Sequence, residues 1–330
     1  MRALLILFVL GFASACVTGQ DDPTTVKDLR VLGMKFEPPE VMMVGCNAQL
    51  LLGAAAAAAD GGMVSVPPEV GQLVLTYASR PLEFKALIAD PAGNGRSLDY
   101  RLLACANRGD RECDNEGDFV ELNKGTTTAG ELTVRTTPGL QFLNDGLATP
   151  LLLEVISQDT FKGLGGIRLP VVLELSASDT GEKIYAQKLM VYTCQFFPSM
   201  KQNVTPVLPG ILFNGEPWAE DDVKQLSGKD EFPLEPQDFS ELEEQYVVPT
   251  LMLSPLQLEE SWKVTWTTTS GTMSPYNTGG TDFMGVPGAH RVKWKPDQVA
   301  TEPQDVELNF VVRDGRGGSS WTKRRVRWTP

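Results

Sequence analysis

Val171-Val172-Leu173-Glu174-Leu175-Ser176-Ala177-Ser178-Asp179-Thr180-Gly181-Glu182-Lys183-Ile184-Tyr185-Ala186-Gln187-Lys188-Leu189-Met190-Val191 decides the fold. Two runs rich in branched and apolar residues flank Asp179-Thr180-Gly181, so the stretch reads as two antiparallel strands joined by a tight turn. The same grammar recurs upstream. Leu82, Phe84, Ala86 and Ile88 alternate with Glu83, Lys85 and Leu87, and Asp90-Pro91-Ala92-Gly93-Asn94-Gly95 is a turn. Strands are expected again over 98–104, 132–136, 151–157, 167–176 and 184–193. Ahead of them, Leu29, Val31 and Gly33 alternate with Arg30, Leu32 and Met34 until Pro38-Pro39 stops the run. Short strands between Gly, Asp and Pro turns predict one antiparallel sandwich over 27–195.

A second set follows. Trp262, Val264 and Trp266 alternate with Lys263, Thr265 and Thr267; Val292 and Trp294 with Arg291, Lys293 and Lys295; Val306, Leu308, Phe310 and Val312 with polar neighbours. These half-buried strands predict a second sandwich over 247–330, with Asp314-Gly315-Arg316-Gly317-Gly318 turning its last hairpin. The fold class expected is all-β, two antiparallel β-sandwiches. Two stretches do not fit the pattern. Residues 46–80 read as an insertion, helical over Cys46–Ala59 because Ala and Leu favour helix, then a low-complexity loop to Gln72. Residues 196–246 read as a Pro-rich, irregular, acidic connector, with 11 acidic and two basic residues between Glu216 and Glu244. Phe213, Trp218, Phe232 and Phe239 are its possible anchors on a neighbouring surface or domain.

The start of the chain has its own logic. Arg2, the apolar run Leu4–Phe12 and the small residues Ala13-Ser14-Ala15 ahead of Cys16 read as a signal peptide over 1–15. A run of that length is far short of the roughly 20 helical residues a bilayer needs. The pattern resembles a bacterial lipoprotein signal, although Ala13 stands where that family has Leu. The resemblance implies cleavage before Cys16 and lipidation, palmitate included, of that cysteine. An ordinary secretory signal with a free Cys16 is the competing reading. Residues 16–26 then form a polar tether of at most about 35 Å, which sets the first sandwich beside the membrane. Val17 follows the cysteine where an Asp would resemble an inner-membrane retention signal, so the outer membrane is the expected location.

Charge and cysteines narrow the partners. Lys and Arg total 29 against 42 Asp and Glu, a net charge of −13, which argues against nucleic-acid binding. With Cys16 lipidated, Cys46, Cys105, Cys113 and Cys194 remain, an even number suited to two disulfides in an oxidising compartment. Three connectivities exist. Proximity favours Cys105–Cys113, and Cys46–Cys194 follows. The absence of a CxxC pair and the single His290 disfavour a metal site. Asp110, Asp114, Glu116 and Asp118 form a weak calcium candidate, because Phe119 and Gly125 stand where an EF-hand loop needs Gly and Glu.

No catalytic residue and no cofactor are expected. His290 reads as a packing or surface histidine. Glu241, Glu243, Glu244, Glu259 and Glu260 read as solvated charge rather than a glycosidase pair, which needs two carboxyls across a cleft. Lys323, Arg324, Arg325 and Arg327 read as the charged guard of an edge strand, with contact to an anionic surface as the alternative.

Two further resemblances bear on function. Leu29-Arg30-Val31-Leu32, Glu37-Pro38-Pro39-Glu40 and Leu87-Ile88-Ala89-Asp90-Pro91 resemble the opening of lipoproteins common in myxobacteria and related Gram-negative bacteria. Thr267–Ser274, Trp294 and Asp314-Gly315 resemble polycystic-kidney-type Ig-like repeats. They imply Ig-like domains in an outer-membrane lipoprotein. Its membrane contact is the lipid and its partners are envelope proteins, bound at residues the sequence does not identify. The expected role is a non-catalytic binding or structural subunit of an envelope assembly or adhesion system. A glycan-binding module is the alternative, favoured by exposed Trp or Tyr on a sheet face, and a hydrolase comes third.

Overall fold

The computed structural model describes residues 22–45, 68–106, 113, 119–139, 151–159, 164–280 and 290–330. It is a mostly β chain of two β-sandwiches. In the first, a three-stranded sheet in the order β1 (Arg30–Glu37), β3 (Leu82–Ala89), β6 (Gly130–Thr136) faces a five-stranded one. The larger sheet runs β2 (Glu40–Met43), β8 (Glu182–Cys194), β7 (Ile167–Ala177), β4 (Leu98–Cys105), β5 (Phe119–Thr127). The 171–191 stretch is the predicted hairpin, with Leu173 opposite Ala186 and Leu175 opposite Ile184. Phe36, Phe84, Ile88, Leu102, Leu173 and Met190 fill the space between the sheets.

Two expectations for this half need correction. Leu151–Gln158 is an α-helix, not a strand. Leu151 and Val155, four residues apart and buried together, share one face of a helix, so period 3.6 governs here. Pro68–Ala78, assigned in part to a loop, is also helical. Proline at a first helical position costs nothing, because its missing N–H would lack an intrahelical partner anyway. We number these α1 (Pro68–Ala78) and α2 (Leu151–Gln158). The predicted helix at Cys46–Ala59 lies outside the described residues.

The second sandwich is larger than expected. One sheet runs β10 (Glu216–Trp218), β9 (Ile211–Phe213), β12 (Phe232–Pro236), β18 (Val292–Lys295), β16 (Thr272–Ser274). The other runs β11 (Val223–Ser227), β20 (Ser319–Thr329), β19 (Gln304–Arg313), β15 (Lys263–Thr268), β17 (Asn277–Gly279). Four strands therefore come from the segment expected to be an irregular connector. Its aromatics are core: Phe213 packs on Trp218 and Phe232, Phe232 on Trp294, and Phe239 on Trp262. Strands of three to five residues with charged outward positions are too short for a period-2 signal to emerge from acidic surroundings. Trp218, Trp266, Trp294 and Trp328 are buried with their indole N–H groups satisfied by Asp222 O, Thr278 Oγ1, Ser270 O and Gly228 O.

The tether also needs correction. Thr24, Thr25 and Val26 are buried on the second sandwich. Val26 N donates to Thr268 O at 2.8 Å, Thr268 N to Thr24 O at 2.9 Å, and Met273 N to Thr24 Oγ1 at 2.9 Å. Threonine oxygens and the extended backbone satisfy groups that β15 and β16 would otherwise leave open. The chain thus touches the C-terminal sandwich before it enters the first.

Candidate functional site

The two sandwiches meet along β1, β8 and the β19–β20 corner. Gly33 makes the approach possible: a Cβ there would lie 3.0 Å from the Trp321 ring and 3.3 Å from a Val311 methyl. Arg313 Nη2 donates to Leu32 O at 3.2 Å and Ser319 Oγ to Met34 O at 2.6 Å. Lys35 lies over the Trp321 ring, whose Nε1 donates to Glu131 at 3.1 Å.

A cluster around Arg316 locks this junction. Its guanidinium lies 3.0 Å from Glu260, 3.3 Å from Glu244 and 3.6 Å from Glu40, which belongs to the other sandwich. Glu40 also accepts from Asn203 N at 2.8 Å and from the Thr193 hydroxyl. Asp314 shapes the corner, accepting from the N–H groups of Arg316, Gly317 and Gly318 and from Asn203 Nδ2. Burial raises the Glu260 pKa, opposed by its bonds from Trp262, Glu244 and Arg316. This is a largely buried ion cluster in which each carboxylate has a cationic or N–H partner, the arrangement that resists losing any one member, although Asn203 Oδ1 is buried without a hydrogen bond.

Beside the cluster lies a cleft of about 490 Å³. Its walls are the 31–34 segment of β1, the outer half of β8 with Arg168 of β7, and Arg313, Gly315, Arg316 and Gly317 of the corner. The charged side chains on these walls are all cationic: Arg168, Lys188, Arg313 and Arg316. Lys188 Nζ donates to Gly317 O at 2.7 Å and Arg313 Nη1 to Thr265 Oγ1 at 3.0 Å. Burial, reinforced by Arg313 and opposed by Asp314, pushes the Lys188 pKa down to about 8. Burial also lowers Arg313.

At the far side of the Arg316 cluster a hairpin leaves the body. β13 (Gln245–Pro249) and β14 (Pro255–Glu259) pair only with each other among the described residues. The base is held by Glu260 N donating to Glu244 O at 3.0 Å and by Arg316 stacked 4.2 Å from the Tyr246 ring centroid. The tip is apolar and open: Leu251 is 71% exposed and Met252 88%, and Leu256 and Leu258 of β14 are exposed too.

No family model and no curated protein matches this chain. The chain is similar at 7% identity to dimeric latent PorU from Porphyromonas gingivalis, over 92% of its own length and 24% of that chain, with a TM-score of 0.21. It is similar at 11% identity to the two tandem V-type regions of VCBP3, a v-region-containing chitin-binding protein, over 76% of its own length and 94% of that chain, with a TM-score of 0.23. The chain thus spans about a quarter of the PorU chain. Likenesses this distant carry no argument about activity.

The predicted site residues fall out as follows. Cys105 and Cys113 are joined, Cα atoms 6.0 Å apart, over a small apolar cluster with Leu103 and Val172. Cys194 is also disulfide-bonded, and its expected partner Cys46 lies outside the described residues, as do Cys16, Asp110, Asp114, Glu116 and Asp118. His290 packs edge-on against Phe239 with ring centroids 4.7 Å apart, and burial lowers its pKa. Glu244 and Glu260 are not solvated charge; they meet on Arg316, and Glu243 accepts from Trp262 N at 2.6 Å. The basic last strand is not an edge: β11 runs parallel along it, and buried Arg324 donates to Trp218 O at 2.8 Å. The sequence reading did not single out Arg168, Lys188 or Arg313. Each sits in a strand among other charges, and only the docking of one sandwich on the other sets them apart.

Proposed function

We propose that the chain is a lipid-anchored envelope protein that acts as a non-catalytic binding or structural subunit, joined to the outer membrane through Cys16 and to a protein partner through the β13–β14 hairpin. The observation that carries the binding role is the hairpin tip. A surface-exposed Leu251-Met252 pair on a two-stranded element, braced at its base by Arg316, is a costly thing to show to water unless something covers it. The bracing keeps the tip in one place, which lowers the ordering cost of association. The signal-like start and Cys16 support the anchor. Because Thr24–Val26 sit on the second sandwich, the tether would leave from the half that carries the hairpin.

The glycan-binding alternative asks for an aromatic platform. The tryptophans are spent elsewhere: Trp218, Trp262, Trp266, Trp294 and Trp328 are buried and Trp321 is at the junction, while the exposed Tyr276 sits in the turn between β16 and β17 and not on a sheet face. We therefore keep the protein-binding reading. A photocrosslinker placed at Met252 in cells should yield one discrete adduct that Leu251→Asp abolishes, whereas a crosslinker at Val299, 83% exposed and remote in sequence, should not yield it. The same adduct from both positions, or none from Met252, refutes the hairpin as the contact.

A further inference from the structure

The cleft between the sandwiches is cationic beyond what the fold needs. Of its four basic residues, Arg316 has three carboxylates. The other three have none among the described residues. Lys188 meets a carbonyl at 2.7 Å, Arg313 a hydroxyl at 3.0 Å and a carbonyl at 3.2 Å, and Arg168 only a carbonyl at 3.5 Å. The one carboxylate that faces Lys188, Asp314, already accepts three backbone N–H groups and Asn203. A chain with net charge −13 has thus brought Lys188 and Arg313 together without a carboxylate of their own among the described residues, while Arg168 lines the same cleft from the opposite face of the β7–β8 sheet. Burying cations without counter-charge is unfavourable, and a fold that tolerates it has room for an anion to relieve it.

We propose that this cleft binds a small molecule through a multivalent oxyanion group, a phosphate or sulfate, with Lys188 and Arg313 as its ligands. A single carboxylate would neutralise one of the two charges. A tetrahedral oxyanion carries more charge and offers acceptors on several sides, as charge-assisted bonding from a lysine and a guanidinium group requires. About 490 Å³ lies within the range of small-molecule pockets. Val31, Met34 and Leu189 supply an apolar wall for the rest of the ligand. The site is separate from the hairpin and stands or falls independently of it.

Titration calorimetry on the purified soluble chain with pyrophosphate, phosphate, sulfate and acetate tests the assignment. Pyrophosphate, phosphate or sulfate should give a saturable one-site isotherm and raise the melting temperature, with acetate much weaker. Lys188→Met and Arg313→Gln should each weaken binding about tenfold or more, the effect of one lost charge-assisted contact. Lys188→Met should leave the ligand-free melting temperature unchanged or higher, which separates lost binding from lost folding. Lys293→Met, on the surface against Glu231, should change nothing. No saturable binding of any oxyanion, binding equal for acetate, or binding indifferent to both Lys188→Met and Arg313→Gln would overturn the proposal.

Discussion

Arg313 and Arg316 stand three residues apart at the same corner, and the protein treats them in opposite ways. Arg316 is wrapped by Glu40, Glu244 and Glu260 and joins the two sandwiches and the hairpin base in one cluster. Arg313 reaches across the same junction but meets only neutral oxygens, with Lys188 nearby adding repulsion. The first arrangement is what a structural joint requires: each buried charge has partners. The second spends stability and leaves charge available. Neighbouring residues of one type thus divide between holding the molecule together and lining the cleft.

Breaking the compensated side should have the largest effect. Arg316→Leu leaves Glu40 and Glu260 buried without their cation and should destabilise the chain by about 3–5 kcal/mol in urea denaturation. It should also loosen the hairpin base. Arg313→Met removes the donors to Thr265 Oγ1 and Leu32 O but relieves like-charge repulsion, so a smaller loss of about 1–2 kcal/mol is expected from the same measurement.

Lys188 sharpens the contrast through pH. Its folded pKa, about 8, lies below the unfolded value near 10.5, so between these values the unfolded chain binds more protons than the folded one. Stability should therefore rise as pH increases from about 8, by about 1–2 kcal/mol near pH 10, and Lys188→Met should abolish that rise. The trend reverses at higher pH. Burial holds the Tyr192 phenol up to about 12, so stability is lost above the ordinary tyrosine pKa. Smallest of all, Leu251→Asp with Met252→Asp should alter stability by no more than about 0.5 kcal/mol, because these side chains contact little, while removing the Met252-dependent adduct.

How much of this was legible in the chain depended on strand length and on who the neighbour is. Long runs such as Val171–Val191 and Val306–Val312 announce themselves, because several consecutive residues share one periodicity. Three-residue strands such as Ile211–Phe213 and Glu216–Trp218 do not, so the start of the second sandwich was hidden in acidic sequence. Leu151–Gln158 misled because an unbroken apolar run suits either a strand or a helix, and the i, i+4 pair Leu151 and Val155 settles the matter only once burial is known. The disulfide Cys105–Cys113 was the favoured one of three connectivities, by closeness in sequence across a polar loop, and that pair is joined. The role of Lys188 was not, because its cleft is formed by a corner more than a hundred residues away. Arg324 looked like solvent-facing charge because its burial depends on β10 and β11, strands the sequence concealed.

The anchor is the claim on which the cellular role rests, and it has a direct test. Cells expressing the full chain are grown with an alkyne-bearing palmitate, and membrane and soluble fractions are compared with those of the Cys16→Ser variant. We predict label on the wild-type protein in the membrane fraction, and unlabelled protein released from the membrane for the variant. Wild-type protein that carries no label and fractionates with the soluble proteins would contradict the account.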